Sequence, residues 1–112
     1  MTKDQFRLLD EVFYRRSSDG QVTATGKLEG LESFRVLAGS TAKGSPNWVV
    51  QEQLIQSGAL VPQDKVFVFP RDYVFSTPSP AAEAVLGRKA NGWKEWKTKG
   101  GKTLGEAVGR GK

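Results

Sequence analysis

The stretch DYVFSTPSPAAEAVLGRKANGWKEWK, Asp72–Lys97, decides the reading of this chain. It puts a strand end, a Ser-Pro helix start, a small-residue helix, an Asn-Gly turn and two tryptophans into one compact unit. Tyr73-Val74-Phe75 reads as a short strand. Ser79-Pro80 reads as a helix start, because a serine hydroxyl can accept a free backbone N–H and proline's missing N–H is no loss in a first turn. Glu83 is expected in that first turn, where the helix dipole favours an acid. Ala81, Ala82, Ala84 and Val85 are small, so the helix can approach a neighbour closely, with Ala82 or Val85 facing the core. Gly87 ends it. Asn91-Gly92 is a hairpin-turn signal, and Trp93–Lys97 is expected to follow as a strand. Strand side chains alternate, so Trp93 and Trp96 should face opposite sides, with one ring buried and the other exposed.

The same stretch marks a change of charge. Residues 1–87 hold nine Lys/Arg against ten Asp/Glu, net −1; residues 88–112 hold eight against two, net +6; together they give the chain's +5. A polyanion is therefore the first partner to weigh. The basic segment interleaves cations with aromatics, and Arg88, Lys89, Trp93, Lys94, Lys97, Lys99 and Lys102 are the candidate nucleic-acid contacts. Cations meet phosphates, and exposed rings can stack on bases. The plainer reading is a solvated basic face over a core tryptophan. Arg88 and Lys89 also follow a helix C-terminus, where cations are favoured in any case.

Working outward, Lys65–Phe69 is the clearest strand; apolar residues on both faces make it internal to a sheet. Asp72 is expected to fix the turn that follows. A helix over Pro46–Gln56 would start at Ser45-Pro46, bury Val50 and Leu54 with Trp48 and Ile55, and stop at Ser57-Gly58. Ser33–Ala38 alternates as a strand with Phe34, Val36 and Ala38 on one face. Glu11–Arg16 is a strand after a helical or extended lead-in from Gln5. Ser17–Gly20 turns, and Val22–Thr25 returns as a short strand. Beyond the basic segment, Gly100-Gly101 is a break, Leu104 and Val108 organise one or two helical turns, and 109–112 is expected to fray.

At 112 residues, 38% hydrophobic and 26% charged, the chain is expected to form a single domain over 1–112. It has no cysteine and no histidine, which removes disulfides, thiolate chemistry and the commonest general base and metal ligand. The acids Asp4, Asp10, Glu11, Asp19, Glu29, Glu32, Glu52, Asp64, Asp72 and Glu83 show no metal-loop spacing. Gly39–Gly44 resembles a phosphate-cradling loop but lacks the required glycine spacing, and a strand end explains it. No catalytic constellation is visible, so neither an enzyme nor a cofactor is expected. No apolar run approaches the roughly 20 residues of a membrane span. MTKDQFRLLDE has no signal-peptide pattern. A soluble cytoplasmic protein is expected.

Several pieces together carry a family likeness: Phe34–Ala42 (FRVLAGSTA), Leu54 with Gly58-Ala59-Leu60, Tyr73–Ala82, Val85–Arg88, Asn91-Gly92, Trp96-Lys97 and Gly101–Leu104. Over roughly Ser33 to Glu106 the chain resembles a domain of unknown function often found at the C-termini of GIY-YIG nucleases and some restriction-type proteins. No GIY or YIG string occurs here, and Trp93 after the Asn-Gly turn is bulkier than the family pattern suggests. The resemblance implies an accessory nucleic-acid-binding role, with a nuclease or other DNA-processing protein as companion. It also assigns Trp96, of the matching Trp-Lys pair, to the core, which leaves Trp93 exposed.

The expected fold is α+β: a small antiparallel or mixed sheet with strands near 11–16, 33–38, 65–69, 73–75 and 93–97, and two short helices, near 46–56 and 80–86, packed on it. The expected function is non-catalytic nucleic-acid binding, DNA favoured over RNA, with no membrane partner. The alternative is a protein–protein module docking through exposed aromatics.

Overall fold

The computed structural model describes residues 11–17, 20–30, 33–44 and 48–108. The lead-in from Gln5, the middle of the Ser17–Gly20 turn, the Ser45-Pro46 helix start, the acids Asp4, Asp10, Asp19 and Glu32, and the 109–112 terminus lie outside them.

The class is α+β, as the pattern predicts, and every strand pair is antiparallel. The strands are shared between two sheets. β1 (Val12–Arg16), β2 (Thr23–Gly30), β3 (Ser33–Val36) and β7 (Tyr73–Phe75) form one, in the order β1-β2-β3-β7. β4 (Thr41–Lys43), β5 (Val61–Gln63) and β6 (Val66–Val68) form the other, with β6 in the centre. Four helices join them among the described residues: α1 (Val49–Ser57), α2 (Pro78–Leu86), α3 (Gly92–Glu95) and α4 (Leu104–Ala107).

Alternation sets the faces of the larger sheet. Phe13, Ala24, Leu28, Phe34, Val36 and Phe75 are buried, while Tyr14, Arg16, Thr25, Lys27, Arg35 and Val74 stand between them, exposed or half-exposed. Ala38, expected to share a face with Phe34 and Val36, is exposed, because β3 ends at Val36. Its amide instead donates to Asp72 Oδ1 at 2.7 Å, so Asp72 ties the β3 exit to the β7 entry. The return strand β2 runs to Gly30, longer than Val22–Thr25. β6 is internal as expected, though its residues are only half-buried.

The loop at Gly39–Thr41 joins the sheets. Ser40 is buried; its hydroxyl accepts from Thr25 N–H at 3.1 Å and donates to the Thr25 carbonyl at 3.3 Å, and Thr41 Oγ1 accepts from Thr23 N–H at 2.8 Å. The hydroxyls of this glycine-rich loop thus hold β2.

α2 is the centre of the fold. Ala81, Ala82, Ala84 and Val85 have no exposed surface, and the helix packs on α1, α3, β3, β4 and β7. Only small side chains allow so many neighbours so close. Thr77 is its N-cap and Pro78 opens it. Both prolines then fall in the first turn, where neither removes a helical hydrogen bond. Ser79 therefore does not cap, and Glu83 lies past the first turn. α1 presents Leu54 to the core and also a fully buried Gln51, whose Nε2 donates to the Lys43 carbonyl at 2.6 Å and the Ala84 carbonyl at 2.7 Å. These bonds satisfy a polar group that burial would otherwise penalise.

The expected strand at 93–97 is a helical turn instead. Asn91 is an N-cap, its Oδ1 accepting from Trp93 N–H at 3.0 Å. Gly92 is buried, and its amide donates to Ser79 Oγ at 3.0 Å. A Cβ at Gly92 would stand 2.2 Å from the Pro78 carbonyl carbon and oxygen, so glycine here permits contact between backbones rather than a hairpin. The ring of Trp96 is fully buried, 4.8 Å from Phe34, with Nε1 donating to the Pro78 carbonyl at 3.1 Å. Trp96 is thus in the core as expected. Trp93 is not largely exposed: it is half-buried and packs against the core, because a helix has no strand alternation.

Candidate nucleic-acid interface

Strand character appears only where α3 ends. Lys97 forms a bridge with Tyr14 on the outer side of β1: Tyr14 N–H donates to the Lys97 carbonyl at 2.7 Å, and Lys97 N–H to the Tyr14 carbonyl at 3.0 Å. A pair that exchanges both bonds projects its side chains to one face, and Arg16, two residues along β1, shares it. This pairing also covers part of the β1 edge.

The next residues make the tight turn expected at Asn91-Gly92. The Thr98 carbonyl accepts from Gly101 N–H at 2.9 Å, Thr98 N–H donates to the Lys102 carbonyl at 2.7 Å, and Gly101 has φ 93°. A turn closed by a left-handed residue is the three-residue hairpin connection that wants glycine at its last position. Lys99 sits at the tip. Thr103 then caps α4: its hydroxyl accepts from Glu106 N–H at 3.1 Å while the Glu106 carboxylate accepts from Thr103 N–H at 3.1 Å. These bonds hold the Glu106 carboxyl below the usual range: the Thr103 amide first, then its hydroxyl, with the Lys102 charge adding to them. Leu104, fully buried, anchors the far arm.

Between β1 and this turn lies a groove of about 390 Å³ lined by Tyr14, Arg16, Lys97, Thr98, Lys99 and Gly101. The Arg16 guanidinium lies over the Tyr14 ring, 5.9 Å from its centroid. Of the seven predicted contact residues, Lys97 and Lys99 line the groove, and Lys102 lies on the opposite arm of the turn. Lys94 is exposed on α3. Among the described residues, no carboxylate forms an ion pair with any of these four lysines.

The remaining three are placed differently. Arg88 is 3.7 Å from Glu95, which also holds Arg15 at 2.9 Å, so this carboxylate offsets two arginines. Lys89 is exposed, and its carbonyl accepts from Arg88 Nη1 at 3.2 Å. Trp93 is half-buried. Sequence reading missed Tyr14 and Arg16 as part of this surface. The available signal was an aromatic and a cation two apart on one strand, but their neighbour Lys97 is more than 80 residues away in sequence. On the same sheet, Arg35 is held by Glu29 at 2.8 Å and approached by Asp72 at 3.6 Å; the Glu29 bond and charge raise its pKa further. Arg35 is thus matched by acids, unlike the groove lysines. The described residues contain no acidic cluster able to hold a metal ion and no helix long and apolar enough to cross a membrane.

The chain belongs to the family described as Domain of unknown function (DUF4357), whose pattern it matches over residues 13–108. The match begins well before Ser33, where the resemblance drawn from sequence began, and takes in β1 and β2. No curated protein and no solved structure matches the chain significantly.

Proposed function

We propose that this domain is a non-catalytic nucleic-acid-binding module, with DNA its first target, and that it serves in the cytoplasm as an accessory to a nuclease or other DNA-processing protein. The observation that carries the reading is the exposed lysine set Lys94, Lys97, Lys99 and Lys102, none of which forms an ion pair among the described residues, with Lys97 and Lys99 beside Arg16 and the Tyr14 ring. Unneutralised cations around a groove attract phosphates and release their counterions. The alternative, docking through exposed aromatics, has less support: every described aromatic is at least half-buried, and the exposed large apolar residues Val49, Val61 and Val74 sit on three separate elements.

Fluorescence anisotropy with labelled DNA at a series of salt concentrations tests the proposal. Binding should fall with a log–log slope of roughly −3 to −5, the value for about four to six phosphates. Replacing Lys94, Lys97, Lys99 and Lys102 together with Glu should abolish binding with the melting temperature held near that of the parent. Affinity unchanged in that variant would sink the reading.

A further inference from the structure

We infer that the Tyr14–Lys97 groove accepts an unpaired nucleotide, so the partner of this surface is single-stranded nucleic acid rather than duplex. The inference rests on the nucleic-acid reading above and adds which form of the polymer is bound and which residues select it. Three features converge. The groove, about 390 Å³, lies within the range of small-ligand sites and suits one nucleotide rather than the broad face of a duplex. One wall is a stacking platform: the Tyr14 ring with the Arg16 guanidinium over it, and both groups stack on bases that have been splayed out. Beside this platform, on the same face and along the turn, are Lys97 and Lys99, which form no ion pair among the described residues and can meet the phosphates of a stacked nucleotide.

A duplex cannot use this arrangement. Its base faces are covered by their neighbours, so it would meet only the lysines, and Tyr14 would add nothing. A single strand can place one base on the ring while its backbone follows the cations. The surroundings are compatible: Thr25, directly across β1–β2 from Tyr14, and Thr23, across from Arg16, are short polar residues that leave the sheet surface open beside the ring.

The test compares a short labelled oligothymidylate, an oligouridylate of the same length, and a DNA duplex of that length, at one low salt concentration. A single strand should bind roughly tenfold or more tighter than the duplex. Affinity for the thymidylate or the uridylate supports the inference equally, and their ratio identifies DNA or RNA. Tyr14→Leu keeps an apolar side chain on β1 but removes the flat ring. It should weaken single-strand binding by roughly five- to 150-fold, the range of a lost base–ring stack, and leave duplex binding unchanged. Tyr14→Phe should bind as the parent does. Melting curves of both variants check that the fold is kept. Equal affinity for duplex and single strand, with Tyr14→Leu altering neither, overturns this inference and leaves nucleic-acid binding standing. No binding to any of the three probes overturns both.

Discussion

Trp96 and Lys97 are neighbours in sequence and opposites in role. Up to Trp96 the chain is pressed against the first turn of α2: Gly92 lies against the Pro78 backbone, Ser79 accepts the Gly92 amide, and the indole is fully buried on Phe34. From Lys97 to Lys102 each residue is exposed or half-exposed, and the turn is held by backbone bonds and by Thr98 Oγ1, which accepts from Lys102 N–H at 3.1 Å. The corner before the boundary stores stability; the hairpin after it carries lysines that form no ion pair among the described residues. A rigid corner sets where the hairpin leaves the core, so its lysines can be solvated without being disordered relative to β1. Stability and binding should therefore be separable by substitution on either side of that boundary.

The strongest way to break the corner is Trp96→Ala. It should cost about 3–5 kcal/mol, the range for truncating a large buried aromatic, and it leaves the Pro78 carbonyl without its indole donor. Chemical denaturation measures it. Gly92→Ala should come next, at about 1–3 kcal/mol, because the added methyl meets backbone rather than a flexible side chain. A parental stability for this variant would mean that α3 does not rest on α2. Trp93→Ala sharpens the comparison. The ring is half-buried, so its loss should cost about 1–2 kcal/mol, part of the value for a fully buried side chain. A loss as large as that of Trp96→Ala would mean that both rings belong to the corner.

The smallest effect belongs to the far arm of the hairpin. The Glu106 carboxyl is held below its ordinary value by Thr103, so its ionised form favours the folded state. That contribution is complete above the unfolded carboxylate pKa and is lost as pH falls through the lowered folded value. The melting temperature of Glu106→Gln should therefore lie slightly below the parent's at neutral pH, with the gap closing in acid. A gap that stays constant across that range would show that the capping carboxylate's charge is irrelevant.

How much of this was legible depended on the range of the interaction. α2 could be read because its small residues, its Pro-rich start and the glycine at its end all act within a few residues of one another. Thr103 and Glu106 were equally local, and the Thr-x-x-Glu spacing of a capping box was there to be seen. The hairpin was misplaced because two glycine-containing dipeptides, Asn91-Gly92 and Gly100-Gly101, compete as turn signals on local chemistry alone. What separates them is distant: Pro78 and Ser79 supply a docking surface and an acceptor for Gly92, and a tertiary contact overrides turn propensity. Gln51 is a similar case, since nothing in α1 announces that β4 and the end of α2 will offer it two carbonyls.

By itself the amino-acid sequence determined the α+β class, the small-residue helix at the centre, the basic final quarter and the absence of histidine and cysteine, because composition, periodicity and short-range steric rules settle such features within a few residues. Tertiary structure alone decided that Glu95 would offset Arg88 and Arg15, that Trp93 would be half-covered, and that Tyr14 and Arg16 would join Lys97 and Lys99 around one groove. The Arg15–Glu95 pair and the groove depend on setting an edge strand near residue 14 beside a segment near residue 97, and the energy of such a pairing lies in contacts that no local stretch contains.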